Sequence, residues 1–213
     1  MHNSNSAYIK REWMIPISVN GTIVDVETTS ISPKDGDVIT CGFFSGNKIS
    51  IFQRIDPSEE GKRKFFSVLY NWNKFYSRPF YAYNKKFEET WLRTNFDHDL
   101  MQKWKSEAEQ KILENGKTLK WPRVSELISL PHNYYGLQDI GGKEVPEIWK
   151  NFCDSNTTTA NINNERDVSL LDKIIMHNLN DLIREACLLM WDETSALVCA
   201  NILFREIKKE RKI

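Results

Sequence analysis

"GTIVDVETTS", Gly21 to Ser30, sets two carboxylates, Asp25 and Glu27, inside a run that otherwise reads as a buried strand. Ile23, Val24 and Val26 surround them, and β-branched side chains favour strands. Strand side chains alternate between faces, so residues two apart project together. Asp25 and Glu27 therefore share a face. A buried charge is expensive unless it is paired or bound to a metal, and two neighbouring carboxylates repel each other. A divalent cation between them would relieve both costs. A strand end open to solvent would relieve them as well, and the dipeptide spacing alone does not choose.

The rest of the composition fits one domain. The chain has 213 residues, 40% of them hydrophobic and 12% aromatic, enough to build a core and to exclude global disorder. Lys plus Arg equals Asp plus Glu at 29 each, so the net charge is zero. The global basic excess that marks many nucleic-acid binders is absent, and any basic groove must be local. Cys41, Cys153, Cys187 and Cys199 are scattered without a CxxC pair, which argues against a structural zinc site or a disulfide framework and for reduced thiols. The opening "MHNSNSAYIKREWMIPIS" lacks the apolar stretch of a signal peptide, and no run reaches transmembrane length. These features predict a soluble, cytoplasmic chain with no membrane partner. Residues 1–213 form a single domain on this reading, with 1–20 a loosely held lead-in.

Turn residues in "ISPKDGD" close the first strand. "VITCGFFSGNKISIFQRI" reads as two further strands joined at Ser45-Gly46-Asn47. Asp56 as N-cap, Pro57 and Glu59 then open a helix. "PFYAYN" is a short fourth strand, followed by a long or broken helical stretch from Lys85 to Leu113. "TLKWPRVSELISL" reads as a strand running into a helix, and "YYGLQDIGGKEVPEIWKNF" as two helices broken at Gly141-Gly142. "SNTTTANINNER" is a low-complexity loop, and the chain from Asp167 onward is nearly continuous helix. Strands first, then helix, strand and helices, is the order of a mixed α/β sheet with helices packed on it.

Two further acidic stations follow the first. Asn84 closes the fourth strand and Glu88 falls in the first turn of the next helix, where the helix dipole alone favours a carboxylate. His177 and Asp181 are four apart and share one helix face. They form either an exposed pair of small energetic value or an acid–base group beside a metal-binding carboxylate. No positive side chain is evident among these residues.

"VDVET", Asn84-x-x-Phe87-Glu88 and His177-x-x-x-Asp181, in that order on strand, strand-to-helix junction and late helix, together resemble the DEDD superfamily of 3′-to-5′ exonucleases. The resemblance runs from Thr22 to Leu189. It implies a ribonuclease-H-like fold: a mixed β-sheet flanked by helices, with a helical C-terminal part. It maps the family's acidic positions onto Asp25, Glu27, Glu88 and Asp181, holding two divalent cations, for which Mg²⁺ or Mn²⁺ suits the oxygen donors. It makes His177 the group that orients or deprotonates the attacking water. Two departures stand out. Glu88 occupies a position where Asp is more usual, and the four-residue spacing before Asp181 belongs to the branch that carries Tyr, not His. "YYGLQDI" resembles the segment that precedes the last motif in that same branch.

The implied partner is DNA or RNA, most simply a single-stranded end. Thr28, Asn84 and Lys85 are then expected to contact it, Lys85 with Lys86 at backbone phosphates; a solvated helix start accounts for the lysines equally well. Tyr134 and Tyr135 either stack on bases or fill the core. His2, His98 and His132 lack partners at ligand spacing and read as surface residues. An endonuclease using the same site, and a non-catalytic nucleic-acid-binding protein of the same fold, remain as alternatives. The oligomeric state stays open.

Overall fold

The computed structural model describes residues 6–102, 123–128, 140–159 and 168–190. Two long strands dominate it. β1 (Tyr8–Thr28) and β2 (Val38–Arg54) pair antiparallel along almost their whole length. β3 (Phe80–Ala82) then joins β1 in parallel, and β4 (His98–Asp99) joins β3 in parallel, giving the order β2-β1-β3-β4 among the described residues. The expected mixed sheet is present, with helices α1 (Glu59–Leu69), α2 (Lys85–Leu92), α3 (Val124–Leu127), α4 (Val145–Thr159) and α5 (Asp172–Leu189) around it.

The alternation read in "IVDVE" decides which layer covers which face. Ile23 packs with Phe44, Ile49 and Ile51 beneath Ile175, Leu179, Leu182 and Ile183 of α5. Val24 and Val26 face the other way, with Phe65 and Leu69 of α1, Trp72, Phe80 and Trp91 of α2. Asp25 and Glu27, in step with Ile23, consequently lie on the α5 side. A third cluster, Ile39, Val145, Trp149, Phe152, Leu171 and Ile174, fastens α4 to the start of α5.

Several local expectations are corrected. The lead-in expected over 1–20 is strand from Tyr8 onward, because Tyr8 to Met14 pairs with Lys48 to Arg54. The turn expected at Ser45-Gly46-Asn47 does not form. Gly46 has φ +58° and lies opposite Val19, where the register slips, so it provides a bulge within one continuous strand. The reversal between β1 and β2 falls at residues 29–37, in the turn expected at "ISPKDGD", where Thr29 N donates to Asp37 O at 2.9 Å and Asp37 N to Thr29 Oγ1 at 2.8 Å. Buried Arg54 secures that loop through Asp37 Oδ2, at 3.1 Å.

The cap of α1 is Ser58, whose hydroxyl accepts from Gly61 N at 3.0 Å; Asp56 accepts from Ser58 N just before it. The long or broken helical stretch expected from Lys85 to Leu113 is broken: its first helix stops at Leu92, and residues 103–113 lie outside the described residues. Arg93 takes a left-handed conformation (φ 51°), Glu89 Oε1 accepts from Phe96 N at 2.9 Å, and the chain returns to the sheet as β4. Of the loop expected from Ser155, the part up to Thr159 continues α4, and the rest lies outside the described residues. In "TLKWPRVSELISL" the described part is the helix α3, and the expected strand before it lies outside the described residues. "YYGLQD", with Tyr134 and Tyr135, the helical reading beyond Met190, His2, His132 and Cys199 also lie outside them. Cys41 and Cys187 are buried and Cys153 is half-buried. No helix among the described residues is long and apolar enough to cross a membrane.

Candidate active site

The three stations meet. β1 and β3 run parallel, so their C-terminal ends, which lead into Asp25 and Glu27 on one side and Asn84 and α2 on the other, open at the same edge. α5 lies across the sheet at that edge. One ligand atom each from Glu27, His177 and Asp181 falls within 4.8 Å of the others. His177 Nε2 stands 3.7 Å from Glu27 Oε1 and 3.8 Å from Asp181 Oδ2. These gaps exceed a direct hydrogen bond and suit a single bridging water.

Burial rules out the surface readings of both helix stations. His177 is only 7% exposed, so the pair on α5 is no solvent-facing ion pair. Glu88, 4% exposed, is turned inward from the first turn of α2.

Asn178, which sequence reasoning missed, joins the first and third stations. Its Nδ2 donates to Asp25 Oδ2 at 2.8 Å and to Asp25 O at 3.2 Å. This reach depends on Gly42, the residue paired with Asp25 on β2. A Cβ there would collide with Asn178 Oδ1 and press on Leu182 Cδ1, so only glycine lets α5 settle this close to the sheet.

Arg184 and Glu185 were missed as well. Arg184, 1% exposed, places Nη1 2.6 Å from Asp181 Oδ1. The expectation that the site holds no positive side chain is therefore corrected: one oxygen of Asp181 is engaged by a buried guanidinium, and the other faces His177. Glu185, also 1% exposed, continues the spacing of His177 and Asp181 by four more residues, which was the available signal. Arg184 carried no such signal, since a three-residue offset from an acid is common on exposed helices.

The electrostatics show strong mutual repulsion. Burial, then the charges of Glu27, Glu185, Asp181 and Glu88, push Asp25 well above the usual carboxylate range. Burial lifts Glu27 to about 7 against the pull of His177; Asp181 adds to the rise, while hydrogen bonds from Asn178 and Asp25 oppose it. Glu185 is raised by burial and then by Glu88 and Asp181. Protons held this tightly mark a place suited to positive charge.

The residues expected to touch nucleic acid are placed differently. Thr28 is buried and its hydroxyl donates to Ser30 O at 2.6 Å, which commits it to the turn after β1. Asn84 occupies the N-cap position of α2 without a side-chain capping bond. Lys85 Nζ lies 3.7 Å from Glu89 Oε1 and lines a groove of about 660 Å³ with Lys86, Asp97, His98 and Gln102.

A family model described as the RNase H superfamily matches residues 22–191. No curated protein and no solved structure matches the chain. The matched span begins within the strand that carries Asp25 and Glu27 and ends just past the helix that carries His177 and Asp181, and the chain belongs to the RNase H superfamily.

Proposed function

We propose that this protein is a metal-dependent nuclease that hydrolyses phosphodiester bonds as a 3′-to-5′ exonuclease, acting on single-stranded ends of DNA or RNA. The observation that supports it is the convergence of Glu27, His177 and Asp181 within 4.8 Å, with Asp25 bonded alongside through Asn178. Family membership supports a nucleic-acid substrate; the exonuclease direction rests on the motif resemblance.

The donor set fits divalent cations of the hard, oxygen-seeking kind, Mg²⁺ or Mn²⁺. Asp25, Glu27, Glu88 and Asp181 would hold them, and the raised proton affinities of Asp25 and Glu27 are what such ions would displace. Two such ions, when bound, supply charge stabilisation at both the attacking and the leaving oxygen of an in-line displacement. The protein's own contribution is placement. Asn178 fixes the Asp25 carboxylate, Arg184 fixes that of Asp181, and His177 Nε2 is within one water of both Glu27 and Asp181, where it orients or deprotonates the nucleophile. Asn84 and Lys85, which follow the end of β3, would position the strand, Lys85 through phosphate, while buried Thr28 would act only through the turn it holds after β1.

The test uses linear single strands blocked at either end, and a circular single strand, as DNA and as RNA. A 3′ block should prevent degradation and a 5′ block should not. Activity should vanish in excess chelator and in Asp25→Asn, and return to the wild type with Mg²⁺ or Mn²⁺. Cleavage of the circle would establish the endonuclease alternative, and undiminished hydrolysis under chelation would end the metal reading.

A further inference from the structure

We propose that Glu185 is a fifth acidic member of the cation site, acting with Glu88 on the α2 side of the cluster. This rests on the metal-dependent reading above. Glu185 follows His177 and Asp181 at successive four-residue steps, so it extends the same stripe of α5. It is 1% exposed, and its Oε2 is buried without a hydrogen-bond partner among the described residues. The charges that bear on it are those of Glu88, Asp181 and Glu27. A main-chain hydrogen bond from Tyr83 holds the carboxylate; Tyr83 leads from β3 into the helix that carries Glu88.

A packing role alone would be served better by an amide or an apolar side chain, neither of which brings a buried charge among other acids. An acid kept here, bonded to the β3–α2 junction that leads to Glu88 and with its Oε2 without a hydrogen-bond partner among the described residues, is placed to share a cation with Glu88. The adjacent Arg184 is engaged with Asp181, at 2.6 Å.

The full chain would be titrated calorimetrically with Mn²⁺ as wild type, Glu185→Gln, Glu88→Gln and the double variant, with melts of each in chelator. Glu185→Gln keeps the shape and the acceptor for Tyr83. It should melt at or above the wild-type temperature without metal and bind Mn²⁺ about tenfold or more weakly, with less than additive loss in the double variant. Unchanged Mn²⁺ affinity in Glu185→Gln, or full additivity, would overturn the proposal. Should the Gln variant not fold, Glu185→Asp, which withdraws the carboxylate by one methylene, is read by the same affinity criterion. Failure of the site reading is separate: the wild type would then bind no Mn²⁺, or Asp25→Asn would bind it as tightly as the wild type does.

Discussion

Asn178 Nδ2, on α5, donates to both Oδ2 and the main-chain oxygen of Asp25, at 2.8 and 3.2 Å, and so fixes the first carboxylate of the site from the helix packed over it. Removing the amide leaves Asp25 free to rotate. Asn178→Ala should lower turnover by about 10- to 100-fold, the usual effect of losing a group that orients a ligand. Its melting temperature in chelator should fall much less than its activity. Steady-state rates beside a thermal melt check this, and unchanged turnover would reduce Asn178 to packing.

Gly42→Ala is expected to damage the site without touching any polar group in it. The added methyl meets Asn178 Oδ1 and Leu182 Cδ1, and backbone or helix must shift. Overpacking of this kind costs about 1–3 kcal/mol. Denaturant unfolding should show that loss, and turnover should fall along with Asn178→Ala because the same bond is strained. A variant as stable and active as the wild type would show that α5 is not held at this distance.

Stability without metal should depend on pH through Glu27. Its carboxyl ionises at about 7 in the fold, against 4.5 for the free group, so the folded chain binds this proton more tightly than the unfolded one. The resulting stability is complete below the unfolded value and is lost as pH rises through about 7. Calorimetry in chelator should show the melting temperature falling by several degrees between about pH 5 and about pH 8, at roughly 2–4 °C per kcal/mol for a chain of this size. Glu27→Gln should flatten the profile, and Mn²⁺ should restore stability at the alkaline end. A metal-free profile that rises with pH over this interval would contradict the assignment.

His177 departs from the branch its spacing matches, so its replacement is informative. Only neutral imidazole accepts a proton, and the rate should drop as pH falls below neutrality. His177→Ala should cost about 10²- to 10⁴-fold in turnover. His177→Tyr should retain more than Ala, since a phenol serves at this spacing in the related branch, and should lose the acidic limb. Measurement at saturating metal separates this limb from loss of ions by protonated carboxylates. Wild-type turnover and pH profile in His177→Ala would make the imidazole a mere neighbour of Glu27 and Asp181.

The parts of the site that a local rule can express were legible beforehand. Period two put Asp25 and Glu27 on one face, period 3.6 put His177 and Asp181 on one side of a helix, and a helix start located Glu88. What was not legible depends on distance between elements. Asn178 reaches Asp25 only because Gly42 admits the helix, and Gly42 looks like any strand glycine until its neighbour across the gap is known. Arg184 and Glu185 read as ordinary helix charges until burial removes solvent from both. Strand boundaries failed for a related reason. Ser45-Gly46-Asn47 has good turn chemistry, but Tyr8 to Met14 offers Lys48 to Arg54 a partner that a local reading cannot see.

One helix supplies both main core contacts of the sheet and His177, Asp181 and Glu185 of the proposed site, and it comes near the end of the described chain. A polypeptide still being synthesised therefore carries Asp25, Glu27 and Glu88 long before His177, Asp181 and Glu185 exist. Until α5 docks, Ile23 and Phe44 lack their cover and the early acids stay hydrated and apart. Like charges are gathered only at the moment when apolar burial is large enough to offset their repulsion. A half-made copy therefore has neither the hydrophobic layer that α5 completes nor the α5 members of the proposed site.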